Sequence, residues 1–497
     1  MRIKSLLRFV VAGFGLLFTG LGLRFWLAPD QAGDTFNLAA LGVPGLVSLQ
    51  ADLGGLFVSL GVIALAAAFT RRQSLATAGA IVLGAIASGR VIGAITSGAA
   101  NAHLGSLALE VAAAVALALY ARRSGDSLVT PAGSRRRLAV AGIALGLVAA
   151  ATAAVLNPTV EQWLFNRGAA DNMTRSNAAL LDEDALRVAV CGSSAPLPSA
   201  SRAKACAAVF AGGKFYLVDV GPESVENLVT WGVPLAQIGG VLLTHFHSDH
   251  IGDLGEANLQ TWANGRQQPL NVYGGPGVDR VVGGFNDAYR ADQTYRTAHH
   301  TARWMSPEAW PLVPQTVEMD GEETGARDRT AIVLEENGVR ITAIEVNHDP
   351  VVPAYAYRFD YKGRSVVVSG DLKYHPPLAM AAKDADLLVI EAISRSMVKA
   401  LQTAATNVSR ERQAMIMHDI QDYHISPTEA GELANMAGVK LLVFYHLLPT
   451  PDNFIARRLF AHDLRAIRPR DWTIADDGSL YTLPAGSRDI RIGRVAQ

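Results

Sequence analysis

The sequence predicts two structural parts: an all-α region of five transmembrane helices, and after it an α/β domain in which two mixed sheets pack face to face between outer helices. Two observations predict this division. The first 156 residues contain five long apolar stretches, at about 9–27, 53–69, 75–97, 104–121 and 138–156. From about residue 185 onward, short apolar strands alternate with helical stretches, which is the pattern of an α/β sandwich.

The apolar stretches predict a multi-pass membrane protein, which in a double-membrane bacterium belongs to the inner membrane. Each is close to the roughly 20 residues that span a bilayer. Buried helices of a soluble protein are the alternative, but these stretches are nearly free of charged residues. The segment Met1–Ala28 has basic residues before an apolar core, as a signal peptide does. It lacks a convincing cleavage site, however, and four more apolar stretches follow it.

The distribution of Lys and Arg predicts the orientation of these helices, because short cytoplasmic connections are enriched in them. Basic residues lie before the first stretch, between the second and third, and between the fourth and fifth: Arg2, Lys4, Arg8, Arg71, Arg72, Arg122, Arg123, Arg135, Arg136 and Arg137. The other two connections contain none. We therefore expect a cytoplasmic amino terminus, and a C-terminal domain on the outer, periplasmic side of the membrane.

The apolar pattern divides the chain into three segments. We expect a four-helix transmembrane domain over 1–123. A cytoplasmic loop, the fifth transmembrane helix and a juxtamembrane linker occupy 124–182, and the α/β domain occupies 183–497. Charges within a membrane are costly, and Asp52, Arg90 and Glu110 lie in or beside the spans. An ion pair of Arg90 with Glu110 or with Asp52 is favoured over a ligand or lipid-headgroup site.

Cys191 and Cys206 are the only cysteines of the chain, and both lie in the α/β domain on strands that we predict to be adjacent. A disulfide between them is compatible with an oxidising compartment. Two buried, unpaired thiols are an equally good interpretation. A nucleophilic cysteine is disfavoured because no separate activating residue is evident.

The run from Thr244 to His250 places three imidazoles and one carboxylate within six residues. It follows Ile238–Leu243, an apolar segment that reads as a buried strand, and loops at strand ends often carry the sites of α/β folds. His245, His247, Asp249 and His250 are of the residue types that bind zinc. A histidine-rich surface loop is the alternative, but no packing requirement explains such a cluster. The run therefore predicts a metal site, with room for a second ion about 3.5–4 Å from the first.

These residues fill the signature His-x-His-x-Asp-His, and the chain in this respect resembles the metallo-β-lactamase-fold hydrolases. Four further segments match that family's motifs in order: Leu217–Gly221, Val346-Asn347-His348, Ser369-Gly370-Asp371 and Phe444-Tyr445-His446. The resemblance implies that His245, His247 and His348 hold one metal, that Asp249, His250 and His446 hold the other, and that Asp371 bridges them. It also implies that Asp219 supports the site. A lone His348 or His446 could be an ordinary surface or core histidine, but each follows an apolar strand.

Within this family the chain looks closest to the branch of transfer-RNA 3′-processing nucleases and the related arylsulfatases. Asp371 argues against lactam hydrolysis, because lactam-hydrolysing members generally lack that bridging aspartate. His424 precedes a helix start in which Ser426 can cap and Glu429 can close a capping box. The resemblance implies that His424 protonates the leaving oxygen, with a supporting histidine as the alternative. Glu391 is expected to orient His424 or a ligand.

Three features separate the chain from the nucleases: Ala356 stands where glycine is usual, Leu372 stands where threonine is common, and no basic arm for transfer RNA is visible. In addition, the segment 279–330 has more acidic than basic residues, which would repel phosphates. Its Tyr289–Arg296 stretch, with His299 and His300, looks more like the arylsulfatases.

We therefore expect a membrane-anchored hydrolase with two Zn²⁺ ions, or iron or manganese in their place, in which Asp249 also orients the attacking water. The expected substrate is a small-molecule sulfate ester, phosphoester, phosphodiester or lactone. The expected partners are the lipid bilayer and a second copy in a homodimer, without nucleic acid. A transfer-RNA 3′ endonuclease is the first alternative. A membrane sensor or transporter with a metal-binding accessory domain is the second.

Overall fold

The computed structural model describes residues 3–27, 49–70, 72–97, 104–123, 158–174, 176–321 and 327–495. The chain divides into two compact units, Met1–Ala170 and Asp171–Gln497.

The first unit is helical wherever it is described. Its helices are α1 (Ile3–Leu27), α2 (Gly55–Thr70), α3 (Gln73–Ser97), α4 (Leu104–Arg123) and α5 (Pro158–Thr174), and a π-helical turn (Leu49–Gly54) leads into α2. The first four predicted spans thus coincide with helices, while the fifth, at 138–156, lies outside the described residues.

Two segments of this unit are long and apolar enough to cross a membrane, namely Leu7–Leu27 and Leu49–Thr70. The apolar parts of α3 and α4 are shorter, Gln73–Gly89 and Ala108–Ala121. The expectation of five spans is therefore not confirmed. Gly61 of α2 allows α1 to approach closely, because a Cβ at this position would lie 2.6 Å from the backbone nitrogen of Thr19.

The second unit contains two mixed sheets. The eight-stranded sheet has the order β15-β14-β1-β2-β3-β4-β5-β6, and the seven-stranded sheet has the order β13-β12-β11-β10-β9-β8-β7. The strands are β1 (Ala185–Gly192), β2 (Cys206–Ala211), β3 (Lys214–Val218), β4 (Ile238–Leu242), β5 (Leu270–Gly274), β6 (Leu312–Thr316), β7 (Thr330–Glu336), β8 (Val339–Glu345), β9 (Tyr355–Tyr361), β10 (Arg364–Val368), β11 (Leu387–Ile393), β12 (Leu441–Leu448), β13 (Trp472–Ile474), β14 (Ser479–Pro484) and β15 (Arg491–Arg494).

Helices connect these strands and cover the sheets. They are α6 (Ser224–Thr230), α7 (Ser248–Ile251), α8 (Leu254–Ala263), α9 (Val278–His300), α10 (Pro377–Ala381), α11 (Arg395–Asn407), α12 (Glu411–Asp419), α13 (Pro427–Ala437), α14 (Phe454–Phe460) and α15 (Leu464–Ile467). Single 3₁₀ turns occupy Ala178–Leu181, Leu235–Gln237 and Ile420–Asp422.

A central apolar core joins the inner faces of the two sheets. Val209 and Tyr216 of the first sheet belong to the same buried cluster as Tyr357, Val366 and Val443 of the second. Two further clusters lie on the outer faces, where Leu228 and Leu254 cover the first sheet and Leu433 and Ala434 cover the second. This four-layer arrangement confirms the predicted α/β sandwich.

Candidate metal centre

The predicted ligands come together from loops and strands of both sheets. His245 and His247 follow β4, Asp249 and His250 begin α7, and His348 follows β8. Asp371 follows β10, and His446 lies within β12. Gly370 has a φ of +61°, and a Cβ there would lie 2.6 Å from the Cβ of Thr244. Glycine therefore lets the loop after β10 approach the histidine loop.

One group of donors consists of His245, His247, His348 and Asp371, whose ligating atoms all lie within 4.8 Å of one another. Nε2 of His245 and Nδ1 of His247 are 2.9 Å apart. Two nitrogens bound to one zinc at about 2.0–2.1 Å each must lie within about 4 Å of each other. This separation therefore fits a shared cation.

A second group consists of Asp249, His250 and His446, also within 4.8 Å of one another. Nε2 of His446 lies 3.2 Å from Oδ2 of Asp249, and Nε2 of His250 lies 3.6 Å from the same oxygen. All three side chains are buried.

Asp371 faces both groups. Its Oδ1 lies 3.4 Å from nitrogens of His250 and His446, and its Oδ2 lies 3.9 Å from Nε2 of His348 and 4.0 Å from Nε2 of His245. One oxygen is thus directed to each donor group, which is the arrangement that a carboxylate bridging two metals requires.

Several buried atoms of the candidate metal ligands have no hydrogen-bond partner within the described part of the chain. They are Nε2 of His250, Nε2 of His348, Nδ1 of His446 and Oδ1 of Asp371. Such atoms cost free energy unless something pairs with them. Their chemistry, imidazole nitrogen and carboxylate oxygen, is that of zinc ligands. The residues present therefore fit a pair of metal ions.

The other ring nitrogens are held by hydrogen bonds that aim the free nitrogens at the centre. Nδ1 of His250 donates to Oδ2 of Asp219 over 2.8 Å, and Nδ1 of His348 donates to the carbonyl of Tyr423 over 2.9 Å. Asp219 also accepts from the backbone N–H and the hydroxyl of Thr244, both at 2.8 Å. Fixing one ring nitrogen in this way sets the tautomer in which the other can bind a metal.

Two residues of the site have left-handed backbone conformations, His446 with a φ of 44° and Asp219 with a φ of 61°. His446 lies where the register between β11 and β12 shifts: Tyr445 pairs with Glu391, and Leu447 pairs with Ala392. Such a bulge turns one side chain away from the regular alternation. The strand thereby directs His446 into the centre, at the cost of local strain.

Burial and mutual charge determine the protonation of the cluster. Burial holds the pKa of His245 well below its usual range, and it lowers the pKa of His348 to about 4. Burial alone would lower the pKa of His250, but Asp371 and Asp219 raise it well above its usual range. Burial alone would raise the pKa of Asp371, but His446 and His250 lower it well below its usual range. Metal binding is therefore expected to compete with protons at His250.

His424 and Glu391 lie beside the ligands. Nδ1 of His424 is 2.8 Å from Oε1 of Glu391, and Oδ2 of Asp371 is 3.9 Å from the same nitrogen. With Asp371 and His446 they form a third group with metal-ligand spacing. We interpret them instead as a hydrogen-bonded pair, because Oε1 of Glu391 already accepts from both His424 and the backbone N–H of Leu372. Burial lowers the pKa of His424, and burial together with Asp371 raises that of Glu391.

The capping box predicted after His424 is present. The hydroxyl of Ser426 accepts from the backbone N–H of Glu429, and the Glu429 carboxylate accepts from the backbone N–H of Ser426. Arg395 binds Glu429 over 2.9 Å and also donates to the carbonyl of His424 over 3.2 Å. No pattern in the sequence indicated a role for Arg395 or for the carbonyl of Tyr423. Thr244 could have been recognised, because it begins the histidine run.

The remaining predicted residues lie outside this centre. Cys191 and Cys206 are joined in a disulfide, and both are fully buried on adjacent strands. Glu110 is buried within the first unit, and Asp52 lies in the exposed part of the π-helical turn. The side chain of Arg90 is outside the described part of the chain, so its pairing stays a prediction.

Comparison with known proteins places residues 215–447 in the Beta-lactamase superfamily domain. The chain is 33% identical over 268 residues to ribonuclease Z of Mycolicibacterium gilvum (strain PYR-GCK), which covers 53% of this chain and 85% of that protein. It is also 33% identical over 267 residues to ribonuclease Z of Mycobacterium marinum (strain ATCC BAA-535 / M), covering 53% and 87%.

Two solved structures align with 60% of this chain. The alignment with the metallo-beta-lactamase fold protein YhfI from Bacillus subtilis covers 100% of that protein, with 21% identity and a TM-score of 0.42. The short form of human tRNase Z is covered to 99%, with 18% identity and a TM-score of 0.41.

These relatives correct one expectation. The expectation of a small-molecule ester substrate and no nucleic-acid partner is wrong, because the similar proteins are ribonucleases by name. The acidic composition of 279–330 was one of several features on which that expectation rested. The chain is a metallo-β-lactamase-fold hydrolase that belongs to the Beta-lactamase superfamily and has ribonuclease Z proteins among its relatives.

Proposed function

We propose that this protein is a metal-dependent ribonuclease that hydrolyses a phosphodiester bond of RNA. One observation carries the proposal: Asp371 directs one oxygen to each of two neighbouring groups of buried metal ligands. Paired metals are a common device for phosphodiester hydrolysis. The 33% identity to ribonuclease Z over 85% of that protein's length supports RNA as the substrate.

The proposed ligands of the first metal are His245, His247 and His348, those of the second are Asp249, His250 and His446, and Asp371 is shared. We propose zinc, because imidazole and carboxylate are its usual ligands. When bound, two such ions would lower the pKa of a water molecule and neutralise charge on the phosphoryl oxygens. We also propose that Asp249, whose Oδ2 lies 3.6 Å from Nε2 of His250 and 3.2 Å from Nε2 of His446, orients the attacking water.

His424 is the proposed proton donor to the leaving ribose oxygen. Hydrolysis forms a bond from phosphorus to the water oxygen and breaks the bond from phosphorus to the ribose oxygen, which must gain a proton. Since Nδ1 of His424 is hydrogen-bonded to Glu391, Nε2 is the nitrogen that gives this proton, and the ring must first take up that proton because burial lowers its pKa. Glu391 is a positioning residue in this scheme, because it holds the ring of His424.

The test uses the full-length chain in detergent, loaded with Zn²⁺, and a 5′-labelled transfer-RNA precursor with a 3′ extension. We expect cleavage of this RNA, no cleavage of a DNA of the same sequence, and loss of activity on chelation that Zn²⁺ reverses. Asp287→Asn is the matched control, because Asp287 is exposed and pairs with Arg290 on α9. A zinc-loaded protein that cleaves neither the precursor nor unstructured RNA would refute the proposal.

We also propose that the catalytic unit lies outside the cytoplasm. The alternation of Lys and Arg between the apolar stretches supports this orientation. The disulfide between Cys191 and Cys206 supports it independently, since disulfides persist in oxidising compartments. The RNA would then be encountered on the outer side of the membrane. Alkaline phosphatase fused after Gln497 should be active in cells. Fluorescence of green fluorescent protein fused at the same position would show the opposite orientation.

A further inference from the structure

Tyr423 lies on the wall of the candidate metal centre, and no role has been given to its side chain so far. It is half-buried between the 3₁₀ turn Ile420–Asp422 and α13. The ring centroid is 4.5 Å from that of His424 and 5.3 Å from that of His348. The ring also packs against a buried apolar cluster to which α11 and α12 each contribute one residue. The cluster consists of Ala195, Ile393, Val398, Met417, Ile420 and Leu448.

The backbone that carries this ring is held from several sides. The carbonyl of Tyr423 accepts from His348 over 2.9 Å. Arg395 donates to the carbonyls of Gln421 and His424, at 3.4 and 3.2 Å. The backbone N–H of Ile393 in β11 donates to the carbonyl of Ile425 over 2.8 Å. The position of the tyrosine ring is therefore set before any substrate binds, which is the condition for an effective contact to a transition state.

The hydroxyl of Tyr423 is the free part of this side chain. It makes no hydrogen bond to any residue that the structure describes, whereas other tyrosines of the domain do, such as Tyr357 to the carbonyl of Leu243 at 2.8 Å. The ring that carries this hydroxyl lies beside His348 and His424, so the hydroxyl lies close to the proposed metal centre.

We propose that the hydroxyl of Tyr423 donates a hydrogen bond to a non-bridging oxygen of the phosphate that is hydrolysed. The proposal rests on the proposed function for the identity of that phosphate as part of RNA. A neutral donor suits this place, because a phosphoryl oxygen already faces the two metal positions and needs a directed hydrogen bond more than a further charge. Removal of one such donor to an anion costs about tenfold or more in affinity.

The test compares the zinc-loaded full-length chain with its Tyr423→Phe and Tyr295→Phe variants in detergent. Tyr295 is an exposed tyrosine of α9 and serves as the matched control. The binding of inorganic phosphate is measured by calorimetry, and zinc content and melting temperature are measured on the same samples. We expect Tyr423→Phe to weaken phosphate binding about tenfold with zinc content and melting temperature unchanged, and Tyr295→Phe to have no effect.

Phosphate binding within twofold of the wild type in Tyr423→Phe would overturn the proposal. So would loss of zinc from that variant, which would mean that the hydroxyl supports the metal ligands rather than the phosphate, and so would a wild type that binds no phosphate. Cleavage of RNA is measured separately. If the wild type binds phosphate through Tyr423 but cleaves no RNA, the proposed function fails and the assignment of Tyr423 stands.

Discussion

The two ends of β10 carry two clusters of buried charge that differ in one respect. At the start of the strand, Arg364 and Asp386 form an ion pair at 2.9 Å in which both side chains are 3% exposed. The guanidinium N–H groups of Arg364 that do not bind Asp386 donate hydrogen bonds to the backbone carbonyls of Pro484, Ser487 and Asp489. Beyond the end of the strand, Asp371 is equally buried, but its Oδ1 has no hydrogen-bond partner within the described residues.

This difference separates charge that serves the fold from charge that serves a ligand. Asp386 accepts from Arg364, from the backbone N–H of Ser365 and from Lys440, so its burial is compensated inside the protein. The charge of Asp371 is balanced by the histidines around it, but its Oδ1 and several of their nitrogens have no hydrogen-bond partner within the described residues, and a bound ligand would supply one. We therefore expect substitutions at the two ends of β10 to separate stability from activity.

Asp371→Asn should have the largest effect. It removes the carboxylate shared by the two donor groups, and several kcal/mol of transition-state stabilisation should go with it, at least about a thousandfold in kcat. The metal-free variant should nevertheless unfold at a temperature close to that of the metal-free wild type. RNA cleavage and thermal unfolding of chelated samples check this, with Asp287→Asn as control. Retention of more than a tenth of the activity would contradict it.

Asp386→Asn should show the reverse behaviour. Removing one partner of a buried ion pair leaves Arg364 uncompensated and should cost about 3–5 kcal/mol in the free energy of unfolding. The zinc content and the kcat of the folded fraction should be unchanged. Denaturant unfolding of the detergent-solubilised chain measures the first quantity. Asp463→Asn, at an exposed position beside His462, should be neutral in the same assay, and equal stability of the two variants would be evidence against the comparison.

His424→Ala should lower kcat about a hundredfold while both metals stay bound, because a proton donor is lost but no ligand is. His418→Ala, at an exposed position of α12, is the control. A variant that loses metal would place His424 among the ligands rather than beside them.

The smallest expected effect concerns pH. Burial alone would raise the pKa of Asp386, but its hydrogen bonds from Arg364 and Lys440 lower it below the ordinary value. A carboxyl with a depressed pKa in the folded state contributes stability above the pKa of the unfolded state, about 4, and loses that contribution as the pH falls further. The stability difference between the wild type and Asp386→Asn should therefore narrow below about pH 4. A difference that is constant from pH 7 to pH 3.5 would show that charge is not its cause.

Much of the candidate site could be predicted from the sequence, because its residues follow short apolar strands. The resemblance of the motifs to those of a known family, together with the strand before each one, implied that His245, His348 and Asp371 lie together. His446 is the exception in detail: it lies within β12 rather than after it, and it reaches the centre through a bulge. The register of a bulge depends on the partner strand, and no local pattern in the sequence specifies it.

Other features depended on contacts between distant segments. The carbonyl of Tyr423 and the side chain of Arg395 support the site through positions 75 residues from His348 and 29 residues from His424. The disulfide between Cys191 and Cys206 also depended on strand pairing, so the sequence left it open. The substrate class was predicted wrongly in part because the acidic excess of 279–330 was taken as the field at the site, although α9 itself carries three Asp and three Arg. Arg290 and Arg296 pair with Asp287 and Asp292 on the same helix, so their number does not measure the field at the site.

The central claim is that seven side chains hold two metal ions with Asp371 between them. Mass-spectrometric metal analysis of the purified full-length chain, beside Asp371→Asn, tests it most directly. The account predicts two equivalents of metal per chain in the wild type and no more than one in the variant. Less than one equivalent in the wild type, or two equivalents in both proteins, would contradict it.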